Sequence, residues 1–256
     1  MENHIDIIKK EFTKQSVGVN EYQGSSIKEE ATDKLVKEIS LRGNEQVLEV
    51  AAGTCALGRK IAPFVKHITE LDITKAMLEK GKEANEKAGL SNASYIVGTA
   101  ERLPFEDASF DVVVSRLAFH HFVEPDTVVT EMVRVLKPNG KLVILDMIAD
   151  NNEERNSFNH YEKLRDPSHT NTLSEMDFTK LLKAHNLRTI YSDTTVIPMD
   201  LNAWLSLTTV SSDLENTIIA NVSEELNGGN KTGLQPYMEE GKIKFIHTWL
   251  MLVAKK

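Results

Sequence analysis

The residues best placed to do chemistry lie around a short apolar run and the turn that follows it. Residues 47–50 are rich in β-branched side chains, which predicts a buried strand, and this strand carries the carboxylate of Glu49 near its end. Small residues and Gly53 follow, and residues 57–65 then have helical character. A strand, a tight turn of small residues and a helix bring a nucleotide-like ligand against backbone N–H groups. Taken alone, this arrangement is more often plain α/β scaffold than a ligand site.

A second carboxylate follows at the spacing of a nucleotide site. Asp72 comes directly after a predicted strand at 67–71 and lies 19 residues after Gly53. A carboxylate at the tip of the second strand can hold ribose hydroxyls, because it accepts two hydrogen bonds at once. Nicotinamide dehydrogenases and S-adenosylmethionine (SAM) methyltransferases share this arrangement, so the carboxylate alone leaves both classes open.

The turn itself distinguishes the two classes. A dehydrogenase fingerprint running from Gly53 to Gly58 would place Cys55 at its second glycine, where a pyrophosphate would meet the side chain. A SAM site needs no pyrophosphate cradle, but it needs an anion near the cationic methionine end. Glu49 lies at the strand tip for that role. The turn therefore favours a SAM site.

The elements that must position these residues alternate between strand and helix through residue 147. Near-continuous apolar runs such as 110–114 are typical of parallel strands covered on both faces. We therefore predict an α/β fold with a doubly wound, mostly parallel, seven-stranded sheet. The predicted strands cover 47–50, 67–71, 93–97, 109–114, 141–147, 187–196 and 242–254. The predicted helices cover 28–41, 57–65, 74–88 with Thr74 as N-cap, 125–136, a segment opened by Ser174 in capping-box style, and 200–226.

The length of the chain fits one principal domain, which we place at 31–256. Small helical cap elements are expected within 149–172 and 198–240. Residues 1–30 are polar, with Phe12 and Tyr22 among their few apolar side chains. This segment is either a loosely packed arm or an N-terminal flap over the ligand site.

Composition excludes several classes of partner. A net charge of −8 without a lysine or arginine block argues against a nucleic-acid partner. The single cysteine excludes an internal disulfide and a thiolate metal cluster, and no carboxylates have metal-ligand spacing, so we expect no metal. No secretion signal is visible and no apolar run reaches about 18 residues. We expect a cytoplasmic protein without a membrane span, as a monomer or homodimer.

Four linked motifs, in order along the chain, resemble those of class I SAM-dependent methyltransferases. They are the segments 47–54, 71–78, 98–113 and 116–140. The likeness is to the branch that includes ubiquinone/menaquinone-biosynthesis methyltransferases, with a methyltransferase type 11 domain, and it covers roughly residues 40–150. Residues 164–169 resemble a further feature of bacterial members of that branch. The resemblance implies a Rossmann-like SAM methyltransferase fold and SAM as cofactor.

The resemblance also implies a cofactor-binding set. Glu49 and the backbone of 51–54 would hold the methionine end, with Ser115 or Arg116 approaching it from the fourth strand. Asp72 would take the ribose hydroxyls. The implied set is Glu49, Ala51, Gly53, Thr54, Asp72, Ile73, Thr99, Ala100, Ser115 and Arg116.

The adenine would pack on Ile73, and its edge would be read by the Ala100 N–H and the Thr99 side chain. Two departures from the family pattern stand out. Ala51 and Cys55 occupy positions where the common motif has glycine, and Thr99 stands where many members have an acid. A threonine hydroxyl can still accept a hydrogen bond from the adenine amine.

The implied chemistry is in-line displacement at a sulfonium methyl, for which the protein mainly supplies orientation. A general base is needed only for a protonated acceptor, and the candidates are His120, His121, Tyr161 and His169. We favour His121, just after the fourth strand, and then His169. Each histidine could instead be structural.

The acceptor is expected to be a small molecule. The Asn/Asp-Pro-Pro element of enzymes that methylate exocyclic amines is replaced here by residues 115–118, and a single cysteine argues against covalent-cysteine mechanisms. The predicted function is SAM-dependent methyl transfer to a small organic acceptor. The alternatives are a SAM-binding protein without transferase activity and a nicotinamide-dependent oxidoreductase.

Overall fold

The structure is a computed structural model that describes residues 3–18, 26–149 and 152–256. Tyr22, a predicted part of the N-terminal flap, lies outside these residues. The strands are β1 (Gln46–Val50), β2 (His67–Asp72), β3 (Ala93–Val97), β4 (Phe110–Arg116), β5 (Leu136–Ile148), β6 (Arg188–Asp200), β7 (Tyr237–Glu239) and β8 (Lys242–Lys255). The α-helices are α1 (His4–Gly18), α2 (Ser26–Ile39), α3 (Ala56–Ile61), α4 (Lys75–Lys87), α5 (Pro125–Val135), α6 (Asn152–Arg165), α7 (Glu175–Ala184), α8 (Leu201–Leu205) and α9 (Ser212–Leu226). Short 3-10 helices cover Ala62–Phe64 and Phe119–His121.

The strands form one sheet in the order β3-β2-β1-β4-β5-β8-β6, with β7 paired to β8. Strands β1 to β5 run parallel, and β8 runs antiparallel between β5 and β6. The predicted doubly wound, mostly parallel sheet is therefore confirmed. The chain leaves β1 towards β3 and later returns to β4 on the other side of β1. This reversal opens a crevice at the carboxyl ends of β1 and β4, where open α/β sheets bind ligands.

The structure differs from the prediction in several local details, among them the division of the predicted helix at 200–226 into α8 and α9. The sheet has an eighth strand, because Tyr237–Glu239 pairs with the beginning of β8 through a tight turn at Gly241. Strand β5 begins at Leu136 rather than at residue 141, since Leu136 already pairs with Phe110. Residues 137–140 form an irregularity within this strand, with Asn139 in a left-handed conformation at a φ of 65°.

Helices cover both faces of the sheet, as the continuous apolar strands require. One buried cluster joins Leu35 and Ile39 of α2 to the β strands. The other joins Val128 and Met132 of α5 and Phe178 of α7 to the opposite face. The capping box predicted at the start of α7 is confirmed, with Ser174 and Asp177 bonded reciprocally.

Helix α1 replaces the irregular arm that the polar composition allowed. Its apolar side chains Ile5, Ile8 and Phe12 follow helical spacing and face the crevice at the carboxyl ends of the strands. The ring of His4 lies 3.0 Å from the backbone oxygen of His121, which fixes the first turn of α1 next to the segment after β4. The segments expected to form a cap contain α6, α8 and α9.

Candidate active site

A cavity of about 250 Å³, the first cavity, lies in the crevice at the carboxyl ends of β1, β2 and β4. The turn after β1, the residues after β2 and β4, and helix α1 form its walls. Seven members of the implied cofactor set line it, namely Ala51, Gly53, Thr54, Asp72, Ile73, Ala100 and Arg116. The fold thus brings together residues that are widely separated in sequence.

The turn after β1 reaches its shape through left-handed backbone conformations. Ala51, Gly53 and Cys55 have φ values of 59°, 54° and 57°. Glycine adopts this region freely, whereas a side chain there costs about 1–2 kcal/mol. Ala51 and Cys55 therefore reproduce the conformation that the family pattern assigns to glycine. The Cys55 side chain fits because Gly81 of α4 leaves room, as a Cβ at Gly81 would lie 2.4 Å from the Cys55 Sγ.

Asp72 fixes this turn and faces the first cavity. Its Oδ2 accepts a hydrogen bond from the Gly53 N–H at 2.8 Å, and its Oδ1 accepts one from the Thr74 N–H at 2.7 Å. Burial raises the pKa of Asp72, and these backbone hydrogen bonds partly offset that effect. A carboxylate has about four acceptor positions, so these two hydrogen bonds do not exhaust the acceptor capacity of Asp72. Thr74 occupies the predicted N-cap of α4, but its side chain makes no capping hydrogen bond.

The carboxylate of Glu49 lies behind the turn rather than along the first cavity. It is 2% exposed and accepts a hydrogen bond from the Gly58 N–H of α3 at 2.8 Å. Its neighbour is the fully buried Glu70 of β2, which fits because Gly58 has no side chain. Burial raises the pKa of Glu49 to about 7, although a hydrogen bond with Glu70 opposes the rise. Burial and the charge of Glu49 together raise the pKa of Glu70 well above its ordinary value.

Arg116 ends β4 and contributes to the walls of two cavities. Its guanidinium has no hydrogen-bond or ion-pair partner within residues 3–18, 26–149 and 152–256, and its Nε is buried. Burial lowers the pKa of Arg116, with Glu49 and Asp146 opposing this effect. The remaining implied residues, Thr99 and Ser115, do not line the first cavity; each directly precedes a residue that does.

A second cavity of about 460 Å³ adjoins the first. Helix α2, the carboxyl ends of β4 and β5, and the later segments α6, α8 and β8 supply its walls. Its cationic and aromatic lining residues are Lys28, Arg59, Lys60, Arg116, His120, Arg165, Trp204, His247 and Trp249. Burial, and to a smaller degree the charge of Arg116, lowers the pKa of Lys28 to about 8.

His120 lies in the wall of the second cavity and forms a buried pair with an acid. Its Nδ1 is 2.6 Å from the Oδ1 of Asp146. The other oxygen of Asp146 accepts hydrogen bonds from the backbone of Ala118 and Phe119, so the carboxylate also fixes the turn that carries the histidine. Burial lowers the pKa of His120, but the charge and hydrogen bond of Asp146 outweigh it, so the pKa is raised.

The candidates favoured from sequence lie in different surroundings. His121 lines the first cavity, with its Nδ1 3.0 Å from the Ser168 backbone oxygen and its ring edge-on to Phe12. Burial, followed by the charge of His120, lowers the pKa of His121 to about 4. Burial, followed by the same charge, lowers the pKa of His169 to about 3, and its Nε2 lies 2.8 Å from the Asn159 Oδ1. Tyr161 is half-buried and packs against the ring of His160.

Sequence reasoning missed Asp146, the later cationic residues and both tryptophans. Asp146 had a signal, because it is an acid near the carboxyl end of a predicted apolar strand, just as Asp72 is. Arg165 and Trp204 had none, since their approach to β4 depends on the packing of elements far along the chain.

The described residues contain no group of three or more His, Cys, Asp or Glu side chains arranged to hold a metal ion. Within the same ranges, no helix has the length and apolar character that crossing a membrane requires.

Comparison with known proteins identifies the class. Residues 48–144 match a family described as a methyltransferase domain. YcgJ of Bacillus subtilis, named an uncharacterized methyltransferase, is 31% identical over 192 residues, which are 74% of this chain and 75% of that protein. The UbiE ubiquinone/menaquinone biosynthesis C-methyltransferase of Shewanella sediminis is 34% identical over 115 residues, or 43% of this chain and 46% of that enzyme.

Solved structures agree. The crystal structure of YcgJ superposes with a TM-score of 0.80 at 27% identity, covering 89% of this chain and 98% of that one. A crystal structure of a Bacillus halodurans protein gives the same TM-score at 29% identity, covering 88% and 98%. The fold and the crevice define a Rossmann-like, SAM-dependent methyltransferase. This chain belongs to the methyltransferase-domain family, and the predicted enzyme class is thereby confirmed.

Proposed function

We propose that the protein transfers the methyl group of SAM, bound in the first cavity, to a small organic acceptor bound in the second cavity. The observation that carries this proposal is the wall common to both cavities, formed by Thr54, Ala56, Arg116 and Leu117. In-line displacement requires the acceptor atom and the methyl carbon to be held in contact and aligned. Two cavities that share a wall can hold two ligands in that relation.

The chemical character of the first cavity fits SAM. Asp72 retains acceptor capacity for ribose hydroxyls, and the apolar side chains of Leu71, Ile73 and Met77 offer a surface for adenine. Arg116 lines both cavities and would lie where the methionine end of SAM meets the acceptor. When bound, SAM supplies the electrophilic methyl group.

The other residues of the implied set contribute at different distances from the ligand. The backbone of Ala51, Gly53 and Thr54 and that of Ala100 would contact SAM directly. Glu49 would act from behind the turn by holding the Gly58 N–H and thereby the start of α3.

We assign proton removal from the acceptor to His120 rather than to His121. His120 lines the second cavity, whereas His121 lines the first. Asp146 accepts the Nδ1 proton of His120 and leaves Nε2 as the basic nitrogen, so the raised pKa makes His120 the stronger base. His121 and His169, with lowered pKa values, would remain neutral and position the surrounding loops.

Calorimetry with SAM, S-adenosylhomocysteine and NADPH tests the proposal. We expect saturable binding of SAM and of S-adenosylhomocysteine and none of NADPH. Binding of NADPH without binding of SAM would overturn it. A methyl-transfer screen with labelled SAM and small acceptors then separates an enzyme from a SAM-binding protein without transferase activity.

A further inference from the structure

The charged residues that line the second cavity are nearly all of one sign. Five cationic side chains stand against one acid, the exposed Glu29. Lys60 pairs with Asp33, and Arg165 lies 2.9 Å from the buried Glu162. Arg116 has no such partner among the described residues. Glu49 and Asp146 act on Arg116 through their charges but form no hydrogen bond with it, so its guanidinium donors are open to an added anion.

The buried side-chain atoms that lack a hydrogen-bond partner in the second cavity are also of one kind. Four buried atoms of its lining residues have no partner within the described ranges, and each is an N–H donor: Arg116 Nε, Arg165 Nε, Trp204 Nε1 and Trp249 Nε1. The Nε2 of His247, also in the wall, lies 2.9 Å from the Glu162 Oε1 and needs no ligand. Buried polar groups are nearly always satisfied in functional complexes. A ligand that supplied these missing partners would be rich in acceptor oxygens.

The remaining side chains of the cavity wall indicate what kind of ligand would fit beside these donors. Met147, Met199 and Leu207 join the two indole rings as apolar surface. Arg165 already stacks over the Trp204 ring, 5.0 Å from its centroid. A ligand with a planar or apolar body thus fits against these side chains, and its anionic group would then lie at Arg116.

We infer that the methyl acceptor is an anion, a small aromatic or apolar molecule that carries a carboxylate or phosphate group. Its anionic oxygens accept hydrogen bonds from Arg116 and the tryptophan N–H groups, and its body lies against the indole and methionine side chains. This inference rests on the proposed function only in identifying the ligand as the methyl acceptor. The competing assignment is that Arg116 serves the carboxylate of SAM and leaves the second cavity without an anion site.

Intrinsic fluorescence reports on this cavity directly, because the two tryptophans of the chain both line it. The probes are para-hydroxybenzoate and its uncharged analogue para-hydroxybenzamide, with phenyl phosphate and inorganic phosphate as the phosphate arm. Each is titrated with and without saturating S-adenosylhomocysteine. We expect at least one anionic probe to bind with S-adenosylhomocysteine present, and para-hydroxybenzoate to bind about tenfold more tightly than the amide. The preferred anionic probe distinguishes a carboxylate site from a phosphate site.

Two variants connect the binding to the named donors. Arg116→Gln should raise the dissociation constant of the preferred anion about 10- to 100-fold. Trp249→Phe keeps a ring but removes an N–H donor, and should raise the constant about fivefold. Arg188→Gln, an exposed arginine on β6, is the matched control and should leave it unchanged. Thermal melting of the ligand-free Arg116→Gln variant checks that it remains folded.

The outcomes separate the two proposals. Loss of anion binding when S-adenosylhomocysteine is present, equal binding of acid and amide, or no saturable binding of any anionic probe would overturn the anion site. If the anions bind as described but calorimetry finds no SAM binding, the proposed function falls and the anion site stands. If SAM binds and the anions do not, the proposed function stands and this inference falls.

Discussion

Asp72 tests the proposed cofactor site at the scale of one residue. Asp72→Asn keeps the size of the side chain, but it replaces one acceptor oxygen with an NH₂ group and removes the negative charge. We expect SAM binding to weaken by about 1.5–3 kcal/mol, the range for hydrogen bonds to a charged group, as measured by calorimetry. Unchanged SAM affinity in a folded variant would remove Asp72 from the site.

A matched carboxylate controls for the structural role of Asp72, which also holds the turn through Gly53 and Thr74. Asp111 lies at the opposite end of the sheet, where its Oδ2 accepts a hydrogen bond from the Gln46 N–H at 2.8 Å. Asp111→Asn should lower stability, measured by urea unfolding, and leave SAM affinity unchanged.

His120 tests the proposed proton transfer. His120→Asn keeps a side-chain N–H that can donate to Asp146 but has no basic nitrogen. Methyl transfer to a protonated acceptor should slow about 10²–10⁴-fold while SAM affinity stays near that of the wild type. The control is His185→Asn, because His185 forms a comparable pair with Asp126, at 2.9 Å, on the surface. Wild-type turnover by the His120 variant would contradict the assignment.

The pH dependence gives a second readout of the same histidine. Asp146 is the cause of the raised pKa of His120, and a base must be unprotonated, so the rate should fall as pH decreases through that pKa. In Asp146→Asn this fall should move to lower pH, because burial alone lowers the pKa of His120. A rate profile that Asp146→Asn leaves unmoved would contradict the pair's role.

Individual residues show where sequence reasoning reaches its limit. Asp72 could be placed at the ligand site because a strand tip has a fixed position in a parallel sheet. His120 and His121 could not be told apart, because they are neighbours in a 3-10 turn and line different cavities. No periodicity in the sequence carries that distinction.

At the scale of elements, the carboxyl pair between β1 and β2 makes stability depend on pH. Burial raises the folded-state pKa of both Glu49 and Glu70, so their contribution is present at low pH and is lost as pH rises, for Glu49 through about 7. Glu70→Gln cannot ionise but can still donate to Glu49. Relative to the wild type, we expect it to gain about 1–3 kcal/mol of unfolding free energy at about pH 8 and almost nothing at about pH 4, where the unfolded carboxyl is also mostly protonated.

Urea unfolding at the two pH values measures this gain. The control is Glu79→Gln, whose exposed carboxylate pairs with Lys75 on α4 and should show no such pH-dependent difference. If Glu70→Gln showed the same pH dependence of unfolding free energy as the wild type, ionisation of the Glu49–Glu70 pair would not lower stability.

We propose that helix α1 covers the first cavity. It meets the cavity through Ile5, Ile8 and Phe12, while Lys9 and Lys14 face solvent. A bound ligand that contacts this apolar face should stabilise α1, so S-adenosylhomocysteine should slow tryptic cleavage at these lysines. Equal cleavage with and without the ligand would contradict a covering role.

The elements of the sheet were predictable because buried parallel strands need continuous apolar runs, which β1, β2, β4 and β5 supply. Helix α1 was not, although Ile5, Ile8 and Phe12 follow helical spacing, because the lysines between them made the segment look like a polar arm. Strand β7 has three residues and exists only through pairing with β8, so its own sequence carries no signal.

At the scale of the whole molecule, the two cavities differ in how well the sequence predicted their position and lining. The first cavity is built mainly from loops that follow consecutive strands, and the motifs along 47–122 predicted its position. The second cavity joins α2, the end of β4, α6, α8 and β8. The anionic preference that we infer for it depends on Lys28, Arg116 and Arg165, which are far apart in sequence and come together only in the fold.

The central claim is that SAM occupies the first cavity with its reactive end towards the second. A crystal structure of the protein with S-adenosylhomocysteine tests this most directly. We predict that the ribose hydroxyls lie within hydrogen-bond distance of the Asp72 carboxylate and that the sulfur lies at the wall formed by Thr54, Arg116 and Leu117. Density for the nucleoside outside the first cavity, or a sulfur pointing away from the second cavity, would contradict the account.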